Sequence, residues 1–68
     1  MRYRYYCPER PPMPGAIPKK GLLETGDDMC WPDDVFCWGW CIYNRKLTDA
    51  EVAEYELIDG GEVNEQGT

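Results

Sequence analysis

VFCWGWCIY, residues 35–43, is almost continuous in β-branched and aromatic side chains, which favour extended backbone. Side chains of a strand alternate between its two faces. One face would then carry four large apolar residues: Phe36, Trp38, Trp40 and Ile42. The opposite face, from Val35 to Tyr43, is also largely apolar. We therefore predict a central strand that is covered on both sides.

Upstream of this segment, the chain predicts further strands joined by a proline-rich crossover. RYRYY, residues 2–6, suits a first strand, and residues 22–23 can add a short one. Between them, five prolines occupy positions 8–18. Proline lacks an amide donor, which excludes a helix interior or a central strand. We expect a polyproline-type segment with a turn near residues 14–15.

The C-terminal third predicts one helix. Thr48 is a favourable N-cap, and Glu51, three residues later, completes a capping box. Apolar side chains then recur at helical spacing at Val52, Tyr55 and Ile58. The glycine pair at 60–61 would end the helix, and residues 61–68 would form a frayed polar tail.

These elements predict a single small domain over residues 1–60. Its expected class is α+β: a two- or three-stranded antiparallel sheet with one C-terminal helix packed on it and a proline-rich crossover segment. The tryptophans and Phe36 on one strand face would form core beneath the helix; the alternative is a platform that stacks nucleic-acid bases.

Charge is unevenly distributed along the 68 residues, whose net charge is −6. Residues 1–20 hold five Lys/Arg against one Glu, whereas residues 21–68 hold two against twelve Asp/Glu. Direct nucleic-acid binding is disfavoured because it requires a concentrated basic patch. The acidic surface either meets a basic protein or serves solubility.

The sequence contains no histidine and no serine. The commonest general base and a common nucleophile are therefore missing, and we expect no enzyme activity, no catalytic residue and no cofactor. No apolar run approaches the ~20 residues that span a bilayer, and no leader-like apolar segment follows the N-terminus. We expect a cytoplasmic protein without membrane contact, either a monomer or a homodimer.

The four cysteines, Cys7, Cys30, Cys37 and Cys41, lack the paired spacing of zinc ribbons. On one strand, Cys37 and Cys41 would lie roughly 13 Å apart, too far for a shared metal or a disulfide. Buried free thiols are the favoured interpretation. A four-cysteine zinc site and one or more disulfides remain open, and a bulge at Gly39 would reopen the question of a metal.

Three features are candidates for binding another protein. The proline segment could enter an aromatic groove of a partner, or cover this chain's own tryptophans. The carboxylates of the helix, beside an acidic loop that contains Asp27, Asp28, Asp33 and Asp34, could imitate a phosphate backbone, or only be solvated. The candidate protein-binding residues are Arg10, Pro11, Pro12, Met13, Pro14, Trp38, Trp40, Glu51, Glu54 and Asp59; no metal ligand is predicted.

RPPMPGAIP, WGWCIYNRKLT and EVAEYELI together resemble a group of small uncharacterised proteins encoded on plasmids, conjugative elements and phages of Gram-positive gut bacteria. The shared features are Arg10, Pro11, Pro12, Pro14, Gly15, Pro18, Trp38, Gly39, Tyr43, Leu47, Thr48, Tyr55, Glu56 and Leu57. Cysteines are not part of that pattern. The resemblance implies a mobile-element context and supplies no catalytic residue.

The sequence thus favours a non-enzymatic interaction module, an accessory protein of a mobile element that binds another protein. One alternative is an acidic inhibitor of a host defence nuclease, an anti-CRISPR-like mimic of nucleic acid. A second alternative is a small structural zinc-binding domain.

Overall fold

The computed structural model describes residues 1–63, which form a four-stranded antiparallel sheet. The strands are β1 (Arg2–Cys7), β2 (Leu22–Gly26), β3 (Gly39–Tyr43) and β4 (Ile58–Val63), and their order is β2-β3-β1-β4. The helix α1 has only six residues, Asp49–Glu54, and a single 3-10 turn, Pro32–Asp34, precedes β3. The predicted fold, a two- or three-stranded sheet beneath a C-terminal helix, is therefore wrong: strands dominate.

The helix begins as predicted but ends early. The Thr48 hydroxyl accepts a hydrogen bond from the backbone amide of Glu51, and the Glu51 carboxylate accepts one from the backbone amide of Thr48. These two bonds confirm the capping box. After Glu54, the chain leaves the helix because Glu56 adopts a left-handed φ of 53°. The amide of Leu57 donates to the carbonyl of Val52 (3.0 Å), and the Leu57 side chain enters the core.

The segment after this turn is β4, which pairs with β1. Gly60 lies in this strand beside the Tyr6 ring, where a Cβ atom would be 2.6 Å from that ring. Gly60 thus makes room for a cross-strand aromatic ring, and the glycine pair does not stop a helix. Gly61–Val63, which the sequence placed in the tail, are part of β4. The rest of that tail, residues 64–68, lies outside the described residues.

The predicted first strand is confirmed as β1, and β3 lies inside the sheet between β1 and β2. The strand predicted over residues 35–43 is confirmed only from Gly39 onward. Before that point, Cys37 forms an isolated antiparallel bridge with Cys30, with N–O distances of 2.8 and 3.1 Å. Cys37 and Cys41 therefore do not share one strand.

One face of the sheet carries the core: Tyr5, Cys7, Ile17, Cys41, Tyr43, Leu47 and Leu57. The rings of Tyr5 and Tyr43 pack edge to face, with centroids 6.0 Å apart. The Tyr5 hydroxyl accepts a hydrogen bond of 3.0 Å from the backbone amide of Leu47. The prediction that Phe36, Trp38 and Trp40 form the core is wrong: none of them belongs to the buried cluster, and Trp38 is 41% exposed.

The proline segment contains the predicted turn. The amide of Ala16 donates a hydrogen bond to the carbonyl oxygen of Met13 (2.9 Å), and Gly15 adopts a φ of +91°. Ile17 and Pro18 then lie buried against the sheet. Across the described residues, we find no helix with the length and hydrophobicity needed to cross a membrane.

Candidate functional site

The proline segment and the end of the Cys30–Cys37 bridge border an open hollow of about 350 Å³. Its lining residues are Pro11, Pro12, Met13, Asp27, Met29 and Trp38. A second hollow, of about 220 Å³, adjoins the first and shares Pro12 and Met13 with it. The remaining lining residues of the second hollow are Pro14, Ile17, Lys19, Leu22 and Thr25. We call the two hollows together the docking groove.

Two contacts hold the proline segment in place beside the sheet. At one end, the Pro12 ring lies on β3 because Gly39 has no side chain: a Cβ atom there would be 2.9 Å from Cδ of Pro12. At the other end, the buried hydroxyl of Tyr43 donates to the carbonyl oxygen of Pro18 at 2.6 Å. The groove wall is thus attached to the central strand β3 at two points.

The opposite wall comes from the antiparallel bridge between Cys30 and Cys37. That register places Met29, the residue before Cys30, across from Trp38, the residue after Cys37. Neither Met29 nor Asp27 was among the predicted binding residues. The sequence placed Asp27 in an acidic loop, and the pairing of the two cysteines brings Met29 to Trp38.

The walls of the docking groove are apolar and exposed. Met13 is 53% exposed and Met29 is 61% exposed, beside the partly exposed Trp38. Trp38 is fixed by edge-to-face packing on Phe36 (centroids 5.2 Å apart), which in turn packs on the exposed Trp31 at 5.5 Å. Clustered exposed apolar side chains of this kind are typical of a surface that binds a partner.

The rim near Trp38 and Met29 is acidic. Asp27 lines the first hollow, and neighbouring Asp28 accepts a hydrogen bond from the indole nitrogen of Trp40 (3.4 Å). Asp33 and Asp34 lie in the 3-10 turn next to Trp31. Within residues 1–63, the carboxylates of Asp27, Asp33 and Asp34 form no ion pair. The second hollow instead carries Lys19.

Five of the predicted binding residues come together in the docking groove: Pro11, Pro12, Met13, Pro14 and Trp38. Trp40 does not line it. The Trp40 ring lies over Gly26, where a Cβ atom would overlap it, and beneath the Arg4 guanidinium at 5.7 Å. The pair of tryptophans that the sequence placed on one face is therefore divided between the groove and the opposite face of the sheet.

Two charged candidates are engaged within the fold. Arg10 forms an ion pair with Glu56 (2.6 Å) and donates to the carbonyl of Tyr55 (3.4 Å), so it holds the turn that ends α1. Glu51 binds both terminal nitrogens of Arg45, at 2.8 and 2.9 Å. That pair, together with the Thr48 amide, lowers the pKa of Glu51 from 4.5 to about 2.

The remaining two acidic candidates also lie away from the groove. Glu54 is exposed at the end of α1. Asp59, on β4, accepts a hydrogen bond of 2.8 Å from the backbone amide of Gly61. The helix carboxylates and the docking groove are consequently separate features of the surface.

The four cysteines are free thiols. Cys7 and Cys41 are buried side by side, and the hydrogen bond to Cys41 together with burial raises the pKa of the Cys7 thiol. Among the residues the structure describes, no group of three or more Cys, Asp or Glu side chains is placed to hold a metal ion. Cys41 belongs to the core beneath α1, not to the groove.

Comparison with known proteins identifies a family. The family described as "Defence against restriction A C-terminal" matches residues 1–62, and the chain therefore belongs to it. This membership links the chain to defence against restriction and indicates a protein associated with a phage or another mobile element. No curated protein and no solved structure gives a significant match.

Proposed function

We propose that this member of the Defence against restriction A C-terminal family is a non-enzymatic module that binds another protein through the docking groove. The observation that carries the proposal is the exposure of Met13, Met29 and Trp38 along one groove. A chain of 68 residues has little apolar surface to spare, because a small domain buries a smaller fraction of its surface on folding than a large domain does. Leaving these side chains in water is consistent with a partner that covers them.

The groove is also suited to binding because two residues of its walls, Pro12 and Trp38, are held by packing before a partner arrives. Pro12 packs on Gly39, and Trp38 packs on Phe36. Proline and stacked aromatic side chains lose little conformational entropy on association. The same surface lacks the histidine or serine that would support acid–base or nucleophilic chemistry. We therefore propose a binding role without a chemical step.

The family is linked to defence against restriction, and this link supports a role for the proposed binding in that defence. Restriction enzymes of a host cleave incoming DNA, and a mobile element benefits from proteins that prevent this cleavage. We propose that the chain is an accessory protein of such an element and acts by attaching to another protein in that defence. Its resemblance to proteins of plasmids, conjugative elements and phages extends the proposal to elements of Gram-positive gut bacteria.

Mimicry of nucleic acid by the acidic surface is the less favoured function. A mimic needs a regular series of free negative charges. Two of the carboxylates in and next to α1, those of Glu51 and Glu56, are instead paired with Arg45 and Arg10. The exposed apolar groove also has no part in such a mechanism.

The decisive experiment compares Met29→Asn with Leu23→Asn, introduced into the gene on its own element. Both substitutions replace an exposed apolar side chain without changing charge, but only Met29 lines the docking groove. The measurement is the efficiency with which the unmodified element establishes in a restricting host, divided by that in a non-restricting host. We expect Met29→Asn to lower this ratio and Leu23→Asn to leave it unchanged.

A ratio that is unchanged by Met29→Asn, or by deletion of the gene, would refute the proposed function. Circular dichroism of the two purified variants checks that each keeps the fold of the parent chain.

A further inference from the structure

Building on the proposed function, we propose that the docking groove binds a basic, apolar segment of its protein partner. This segment carries two large apolar side chains, one for each hollow, and a Lys or Arg next to the one that enters beside Trp38. That cation would lie against Asp27. The inference concerns the chemistry of the bound segment, which neither the family nor the proposed function specifies.

The shape of the groove favours side chains of a polypeptide over a free small molecule. The hollows, of about 350 and 220 Å³, are open to solvent and meet at Pro12 and Met13. Small-molecule sites usually enclose most of their ligand in one cavity. Two adjoining shallow hollows with apolar walls are instead suited to anchor side chains, which dominate the energy of protein interfaces.

The charges around the groove determine which charge the bound segment should carry. Asp27 lines the hollow beside Trp38 and forms no ion pair within the described chain, and Asp28 follows it directly. Burying an apolar contact next to a free carboxylate is least costly when the partner brings a cation to it. Lys19 lines the other hollow, so the basic flank of the segment belongs at the Asp27 end.

The same charges bear on two other occupants. A nucleic acid would place phosphates against Asp27, where electrostatics oppose binding. A second copy of the chain in a two-fold dimer would leave Asp27 without a cation unless the Lys19 end of the second copy's groove lay opposite it. A basic polypeptide is the occupant that satisfies both the apolar walls and the acidic rim.

A random dodecapeptide library displayed on phage, selected against the whole purified chain, tests this chemistry directly. We expect the selected peptides to contain two large apolar residues with a Lys or Arg beside one of them. Selection of acidic or uncharged peptides, or no enrichment at all, would overturn the proposal. So would a concentration-dependent dimer, seen by light scattering, that Met29→Asn abolishes, because a second copy would then fill the groove.

Charge reversal locates the contact. Calorimetric titration of the selected peptide should show binding weakened about tenfold by Asp27→Lys at low salt. Glu54→Lys changes the charge equally, but Glu54 lies outside the groove, so binding should be retained. A peptide whose Lys is replaced by Glu should regain binding to the Asp27→Lys variant. Equal weakening by both protein variants, or no rescue, would contradict a specific contact with Asp27.

The two proposals can fail separately. If Met29→Asn lowers protection from restriction but the selected peptides are not basic, the interaction function stands and the inferred chemistry is wrong. If basic peptides bind at Asp27 while Met29→Asn leaves protection intact, the chemistry stands and the proposed function is wrong.

Discussion

Tyr43 and Pro18 are joined by a 2.6 Å hydrogen bond from the phenolic hydroxyl to the carbonyl oxygen, in the interior of the domain. The bond ties the proline segment to the central strand β3. Tyr43→Phe keeps the ring but leaves the Pro18 carbonyl without this donor. We expect the free energy of unfolding to fall by about 1–3 kcal/mol, the typical cost of an unsatisfied buried polar group, as measured by urea denaturation.

Tyr55→Phe is the matched control. The Tyr55 ring packs against the core, and its hydroxyl makes no hydrogen bond to any of residues 1–63. We expect the free energy of unfolding of this variant to lie within about 0.5 kcal/mol of that of the parent chain. If the two variants lost stability equally, the Tyr43–Pro18 bond would have no special role.

Gly39 allows the Pro12 ring to lie directly on β3. In Gly39→Ala, the added methyl group would meet Cδ of Pro12 at 2.9 Å and the carbonyl oxygen of Gly26. We expect the substitution to displace the proline segment and to lower the free energy of unfolding by about 1–3 kcal/mol, as is usual for overpacking. Thermal unfolding followed by circular dichroism measures the change.

Gly61→Ala separates steric from conformational effects. Gly61 has a φ of +84°, but within residues 1–63 no heavy atom beyond its two chain neighbours lies within 4 Å of an added Cβ. Its cost should come from the left-handed backbone alone, about 1 kcal/mol, and binding in the docking groove should be unchanged. In contrast, Gly39→Ala should weaken binding of the selected basic peptide; unaltered binding would contradict the inferred position of Pro12 in the groove wall.

Because of Glu51, the stability of the fold depends on pH in the acid range. The Arg45 guanidinium, followed by the Thr48 amide, lowers the pKa of Glu51 from 4.5 to about 2. Because the folded-state pKa lies below the unfolded value, the stabilisation is fully present above about pH 4.5. It is lost as pH falls from 4.5 towards 2.

Glu51→Gln should remove this contribution. We expect the free energy of unfolding, measured in urea at a series of pH values, to decline less steeply between pH 4.5 and 2 than in the parent chain. Glu54→Gln, at an exposed position whose side chain forms no hydrogen bond or ion pair inside the described chain, should keep the parental profile. Parallel profiles for all three proteins would contradict the role of the Glu51–Arg45 pair.

The start of the helix could be predicted because its determinants lie within four residues. Thr48 and Glu51 satisfy each other's backbone amides whatever surrounds them. Its end could not, because it depends on partners distant in sequence. Arg10 holds the turn at Glu56 from 46 positions away, and Leu57 enters a core made by other strands. A local apolar period continues past the point where tertiary contacts stop the helix.

For the candidate site, too, only some of the residues could be predicted from the sequence. Pro12 and Met13 could be singled out because proline-rich segments are recurrent ligands of protein grooves, and Trp38 because aromatic residues are enriched at interfaces. Met29 and Asp27 could not, since their position follows from the Cys30–Cys37 bridge. A continuous strand over residues 35–43 would have placed Trp38 and Trp40 on one face, and the change of direction before Gly39 separates them.

Cys41 lies in the core as a small buried side chain, and its substitution tests whether it stabilises the fold there as an apolar group or as a metal ligand. It is fully buried between Tyr5 and Cys7, whereas Cys30 is only partly buried. We expect Cys41→Ser to lower the free energy of unfolding by about 1–3 kcal/mol, because it loses apolar volume and places a hydroxyl in the core. Cys30→Ser should cost no more than about 0.5 kcal/mol, and dialysis against a chelator should leave the melting temperature unchanged. Equal losses in both variants, together with a lower melting temperature after chelation, would instead indicate a structural metal.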